Sequence, residues 1–289
     1  MKHKADIIVT GAGFHSNWCT QTAAACRKLG LPVILIKNAP EDGYDPQEWD
    51  GNHLIHHLTG AEIITVKENR DEAQAKIVQD LKDQGRNPYT MPVGGSTPLG
   101  AAGYANAMLE LYAQSVDQGT KITHLVHATG SGGTQTGLAV AAKALSTDID
   151  VVGVTTGSRT GGRMEEMLLD LGNRTAEFLG TDIRLTPDDI IVHDQYAEGY
   201  GYMIPAKAEA IKLLAETEGL LIDPVYTASA MAGLIDLIKE GHFKKTDTVT
   251  FLHTGGTAAL FPYREPLKAY TKGQELPWKI PRWSPDYTG

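Results

Sequence analysis

Short apolar, β-branched runs alternate with longer helical runs along almost the whole chain, and this alternation restricts the fold more than any other feature. Strands are expected at Ala5–Thr10, Pro32–Ile36, Ile63–Val66, Tyr89–Val93, Ile122–Ala128, Val151–Thr155, Ile190–His193 and Val249–His253. Helices are expected at Ser16–Leu29, Gly51–Thr59, Asp71–Gln84, from Pro98 to about Ala113, and at Thr134–Leu145, Ala206–Glu218 and Ala228–Lys239. Such alternation of strand and helix builds mostly parallel sheets with helices on both faces. The expected fold class is α/β: two three-layer αβα domains. A length of 289 residues fits that number of domains. The smaller domain is expected at residues 5–105 and the larger at 106–289, with Pro277–Gly289 as an irregular surface arm.

Charge narrows the function. Lys and Arg number 26 against 35 Asp and Glu, a net charge of −9, so no general basic face for nucleic acid is available. No apolar run approaches the roughly 20 residues that cross a bilayer, and Met1-Lys2-His3-Lys4 leads straight into a strand without a signal peptide. A cytoplasmic protein without nucleic-acid or membrane partners is expected. Cys19 and Cys26 share one helix face and make neither a disulfide framework nor a zinc site. His53, His56 and His57 have metal-like spacing, but no Cys or carboxylate completes a shell nearby, so they read as a solvated helix face with some histidine packing and no metal.

Three glycine or serine motifs are decoys. Gly11-Ala12-Gly13 opens like a dinucleotide fingerprint, but Ser16 stands at the third glycine position and no acidic residue ends the next strand. No P-loop lysine motif exists. Ser96 and Ser131 lack the flanking glycines of a nucleophile elbow.

Four other segments carry chemistry. Thr129-Gly130-Ser131-Gly132-Gly133-Thr134 follows a strand and opens a helix, where backbone N–H groups and the helix N-terminus form an anion cradle. With no lysine in the loop, the cradle suits one phosphate monoester better than a triphosphate. Ser16-Asn17 stands at a helix start, with Ser16 as its N-cap. Asp223-Pro224-Val225-Tyr226-Thr227 and His253-Thr254-Gly255-Gly256 place hydroxyl groups and backbone at loop ends.

Taken together with Pro92–Gly100 and Gly199-Tyr200-Gly201, these segments resemble, in order and spacing, the D-cysteine desulfhydrase and 1-aminocyclopropane-1-carboxylate deaminase family. That family is tryptophan-synthase-β-like, of fold type II, and depends on pyridoxal 5′-phosphate. The resemblance implies a homodimer with a small amino-acid substrate and the cofactor in a cleft between a larger and a smaller domain. It implies that residues 129–134 hold the cofactor phosphate, together with Thr227 and Gly255 as further cofactor contacts. Asn17 is implied to bond the phenolic oxygen, and Thr254 to face the pyridine nitrogen. Ser16, Tyr200 and Tyr226 are implied on the substrate side as catalytic groups. A glutamate follows Asp-Pro-Val-Tyr in the deaminases of the family, whereas this chain has Thr227. That departure favours α,β-elimination from D-cysteine or a similar β-substituted amino acid, with deaminase or L-cysteate sulfo-lyase activity as alternatives. His15 and Trp18 also depart from the usual neighbours of Ser-Asn. The family's Schiff-base lysine lies upstream of Ser-Asn, in a segment absent from this sequence. Lys2 and Lys4 precede a strand whose far end carries Ser-Asn. The expectation is therefore a larger domain lacking its N-terminal part, lower stability than an intact relative, and the further alternative of a non-catalytic phosphate binder.

Overall fold

The computed structural model describes residues 3–38, 49–67, 69–157, 162–195 and 199–276. The expected arm at Pro277–Gly289 and the residue Lys2 lie outside them. The chain forms two compact units: residues up to Gly95 with Ala258–Glu265, and Ser96–Thr257 with Pro266–Leu276. The division falls earlier than the expected boundary after Ala105, because the helix starting at Pro98 packs on helices of the second unit.

The first unit runs β1 (Ile7–Ala12), α1 (Asn17–Leu29), β2 (Val33–Asn38), α2 (Gly51–Leu58), β3 (Glu62–Val66), α3 (Arg70–Asp83) and β4 (Pro88–Thr90). Its sheet is parallel throughout, in the order β3-β2-β1-β4. Successive strand residues point to opposite faces. Ile8, Val33 and Leu35 therefore pack with Cys19, Ala23 and Cys26 of α1. Ile7, Val9, Ile34 and Ile36 pack with Val66 and with Leu81 of α3. Helix α1 starts where Ser16 Oγ accepts the Cys19 N–H (3.2 Å) and stops at Gly30, whose φ of 70° suits glycine. Arg27 and Lys28 in the last turn complement its dipole.

The second unit runs α4 (Pro98–Asp117), β5 (His124–Thr129), α5 (Gly133–Ala144), β6 (Asp150–Thr155), α6 (Arg163–Phe178), β7 (Ile191–His193), α7 (Pro205–Glu218), α8 (Thr227–Lys239) and β8 (Val249–Phe251); α9 (Arg264–Thr271) straddles the division. Its sheet is also parallel, in the order β7-β6-β5-β8. Helices α4 and α5 bury Ala105, Met108, Leu138 and Ala141 over Leu125 and Val151, and α8 packs on β5 and β6. The α/β class with parallel sheets thus holds in both units. Helix α6 was not expected from the sequence. Its buried face is Met164, Leu168, Leu171 and Thr175.

Small residues set the distance between α4 and α5. A side chain at Gly137 would meet the Ala101 carbonyl oxygen and Tyr104 Cβ, so the two backbones touch there. Gly137→Ala is expected to destabilise the protein by about 1–3 kcal/mol through overpacking, measurable as a lowered midpoint in urea.

Buried histidines add an acid sensitivity. Burial holds His127 at a pKa of about 4. Burial, and then the charge of Lys37, brings His15 to about 4 as well. Between pH 6.5 and 4 the unfolded chain binds these protons and the folded chain does not, so stability falls as pH falls. The slope is about 1.4 kcal/mol per pH unit for each histidine. The difference between wild type and His127→Gln in denaturant titrations from pH 7 to pH 4.5 should show that slope for His127.

Candidate functional site

Each sheet has one place where the strand order reverses, and ligands of open α/β sheets bind at the carboxyl edge there. In the first unit it lies between β1 and β4, where β1 leads to Ser16 and Asn17. In the second it lies between β5 and β8, where β5 leads to the glycine loop and β8 to His253–Gly256.

In the first unit, Ser16 is buried as the N-cap of α1. Its oxygen accepts from Cys19, which leaves its O–H able to donate. Asn17 Oδ1 accepts from Asn52 Nδ2 (2.7 Å), which also donates to the His15 carbonyl (2.8 Å). Among the described residues Asn17 Nδ2 has no partner. Trp18 Nε1 donates to Thr10 Oγ1 (3.1 Å), and that hydroxyl donates to the Met91 carbonyl (3.0 Å), tying α1 to the end of β4. The expected solvated histidine face is instead buried at His53 and His56, because α2 packs on α1: His53 lies 4.5 Å from the Phe14 ring and from the His57 ring, His57 stacks on Trp49 at 3.9 Å, and His56 is hydrogen-bonded to Thr20 and Lys37.

In the second unit, the glycine loop joins β5 to α5. Gly132, at φ 88°, turns the chain into α5. The first-turn N–H groups of a helix have no partner within it. Ser96 Oγ accepts the Gly133 N–H (3.2 Å) and donates to Ser131 Oγ (2.7 Å), so the Ser131 proton is free to point to a ligand. Among the described residues Thr129 Oγ1 is buried without a hydrogen-bond partner, and Gly130 and Thr134 lie on the same loop and first helical turn. An unsatisfied buried hydroxyl, a left-handed glycine and a helix N-terminus together fit a phosphate group. Ser96 was missed in the sequence because its partners lie on another segment.

Tyr200 and Tyr226 come together, their hydroxyls 2.8 Å apart and their rings edge to face at 5.6 Å. Tyr226 is aimed by the buried Asp223. The Asp223 carboxylate accepts the N–H groups of Val225, Tyr226 and Thr227, each at 3.0 Å, and the Thr227 hydroxyl at 2.7 Å. Thr227 Oγ1 also accepts the Asp223 N–H, so this fully buried hydroxyl is engaged inside the loop. After β8, His253 Nε2–H donates to the Leu221 carbonyl (2.9 Å), and its Nδ1 accepts the Gly255 N–H (3.0 Å). Those bonds hold Thr254 between fixed points, with Gly255 and Gly256 at φ 93° and 97°.

Lys4 is exposed ahead of β1, while Ser16 and Asn17 follow its other end. Lys37 and Lys207 are fully buried, and Lys207 Nζ donates to the Tyr202 carbonyl (2.9 Å).

The sequence signature of the family described as pyridoxal-phosphate dependent enzyme matches residues 2–255. The chain belongs to this family. D-cysteine desulfhydrases of Salmonella paratyphi A and Salmonella typhimurium are each 38% identical to it over 266 residues, 91% of this chain and 80% of theirs. The crystal structure of an ACC deaminase homologue superposes with a TM-score of 0.84 at 33% identity, covering 93% of this chain and 79% of that one. A hydrogen sulfide-producing enzyme of Fusobacterium nucleatum shares the fold at a TM-score of 0.61 and 15% identity, over 89% of this chain and 80% of that one. The fold is therefore that of the family's fold-type-II enzymes, the cofactor is pyridoxal phosphate, and the chain is a lyase or deaminase of this class. Among the described residues no helix is long and apolar enough to cross a membrane.

Gly132→Ala would strain the left-handed turn and push a methyl toward Leu168 and Met167. It should weaken binding of pyridoxine 5′-phosphate about tenfold, roughly the cost of one strained residue, and leave the weak binding of pyridoxine unchanged. Titration calorimetry with both ligands checks this.

Proposed function

We propose that this chain eliminates sulfide from D-cysteine or a similar β-substituted amino acid, acting as a cytoplasmic homodimer. One observation carries the choice of reaction. Where the resembling deaminases have glutamate, Thr227 turns its hydroxyl onto Asp223, so the loop offers no second carboxylate.

D-cysteine and water yield pyruvate, ammonia and hydrogen sulfide, so atoms balance without an oxidant. Pyridoxal phosphate, when bound, would supply the electron sink that lets the Cα–H bond release its proton to water and the Cβ–S bond break. The chain supplies the binding groups and the proton for the leaving group. As the family resemblance implies, Thr129–Thr134 would hold the phosphate, and Asn17 Nδ2 would donate to the phenolic oxygen. Thr254 offers the ring nitrogen a neutral hydroxyl, which keeps it unprotonated and suits prompt elimination. Ser16 O–H donates to the substrate carboxylate. The Tyr200–Tyr226 pair, with its hydroxyls 2.8 Å apart, is the phenolic acid that would protonate the departing sulfur. A second reading, cofactor holding without turnover, is favoured by the two fully buried lysines, whose Nζ atoms are hydrogen-bonded within the chain.

The protein incubated with pyridoxal phosphate should release sulfide from D-cysteine and form no 2-oxobutyrate from 1-aminocyclopropane-1-carboxylate. Tyr226→Phe should lower kcat about 100-fold, in the range of lost acid–base catalysis. Preferential 2-oxobutyrate formation would overturn the assignment in favour of deamination. Cofactor binding without either product would leave the second reading standing.

A further inference from the structure

Lys37 is fully buried near the end of β2, and among the described residues it has no carboxylate partner. Its Nζ lies 3.0 Å from the Phe14 carbonyl oxygen, 2.5 Å from His56 Nδ1 and 4.7 Å from the Phe14 ring centroid. Burying an ammonium without a counter-ion is costly, so its position calls for a reason.

Its hydrogen-bond chemistry supplies one. A charged lysine has donors and no acceptor. Burial brings its pKa down to about 8, so it is still mainly charged at pH 7. His56 Nδ1 must then accept, which makes His56 the neutral Nε2–H tautomer; burial, and then the Lys37 charge, hold its pKa far below the usual value. His56 Nε2–H therefore donates to Thr20 Oγ1 (2.9 Å), and the Thr20 proton goes to Asn52 Oδ1 (3.0 Å). Asn52 is left with its amide nitrogen toward Asn17 Oδ1 (2.7 Å) and the His15 carbonyl (2.8 Å), an acceptor that reinforces the same orientation. Asn17 then has its oxygen inside and its Nδ2–H donors outside. An asparagine amide can otherwise present either end.

We propose that Lys37 is a positioning residue that acts through His56, Thr20 and Asn52 to fix the Asn17 amide as an outward donor, so that the site selects an anionic phenolic oxygen. This rests on the reading above that Asn17 bonds that oxygen. Lys37 touches neither cofactor nor substrate in this role. Its effect is the direction of four successive hydrogen bonds, all within the first unit.

The test uses the full chain and pyridoxine 5′-phosphate, which has the phenol and phosphate but no aldehyde and so binds without any lysine. Lys37→Met removes the donor at the start of the chain. Thr20→Val cuts it midway and leaves Lys37 in place. Both should lower affinity about 3- to 10-fold, as expected for one misdirected hydrogen bond. Both should also reduce the phenolate-to-phenol absorbance ratio of the bound ligand at pH 7, which a general loosening of the fold would not do. Long-range 1H–15N spectra, assigned with His56→Gln, should show the Nε2–H tautomer in wild type and a mixture in Lys37→Met. Asn17→Ala should shift the same absorbance ratio, and Lys37→Met should add nothing to it. An Asn17→Ala effect with unchanged ratios in both Lys37→Met and Thr20→Val would overturn the proposal and spare the reading beneath it. No effect of Asn17→Ala on the ratio would overturn both.

Discussion

Every strand pairing among the described residues is parallel, and the site depends on that constraint. Parallel strands send all their carboxyl ends to one edge, and each must be followed by a crossover. The order β3-β2-β1-β4 leaves a gap between the crossovers that leave β1 and β4, and β7-β6-β5-β8 does the same at β5 and β8. The two helices that open at these gaps, α1 and α5, start at Asn17 and Gly133. Their unbonded N–H groups, and the loops beside them, are therefore delivered to the edge by topology before any side chain is chosen.

The units fasten their residues differently. In the first, Asn17 is held by a chain of side chains that passes through Asn52, Thr20 and His56. Such a network depends on each member, because a buried polar group without its partner costs about 1–3 kcal/mol. In the second, the cradle and the Tyr226 loop are held largely by backbone: the left-handed Gly132, the Gly133 N–H on Ser96, and the N–H groups around Asp223.

This contrast also explains what the sequence discloses. Buried parallel strands are near-continuous apolar runs, so Ile7–Ala12 and Val33–Asn38 stand out. The cradle stands out because a left-handed turn at residue 132 calls for glycine. Ser16 reads as a cap from local sequence alone. Helix α6 does not stand out: Gly162 gives no side-chain cap, and Glu165, Glu166, Asp170 and Arg174 dilute its apolar face. Ser96, Asn52 and Lys37 are illegible for another reason. Ser96 meets Gly133 across 37 positions, and Asn52 meets Asn17 across 35, so no local pattern connects them. A lysine closing an apolar strand, as in Val33–Asn38, is the one visible trace of the buried network. The expected unit boundary was late because nothing in the residues around Gly95 marks α4 as belonging to the second core.

The Asp223 carboxylate grips amide hydrogens, which every residue but proline carries, and none of its bonds involves the ring of Tyr226. The grip of Asp223 on the loop therefore does not depend on the side chain at 226. A descendant of this protein could exchange that phenol for another group in one step and keep the scaffold that aims it. Diversity of reaction on this fold then needs no new architecture, only a new tip on a bracket that is already rigid.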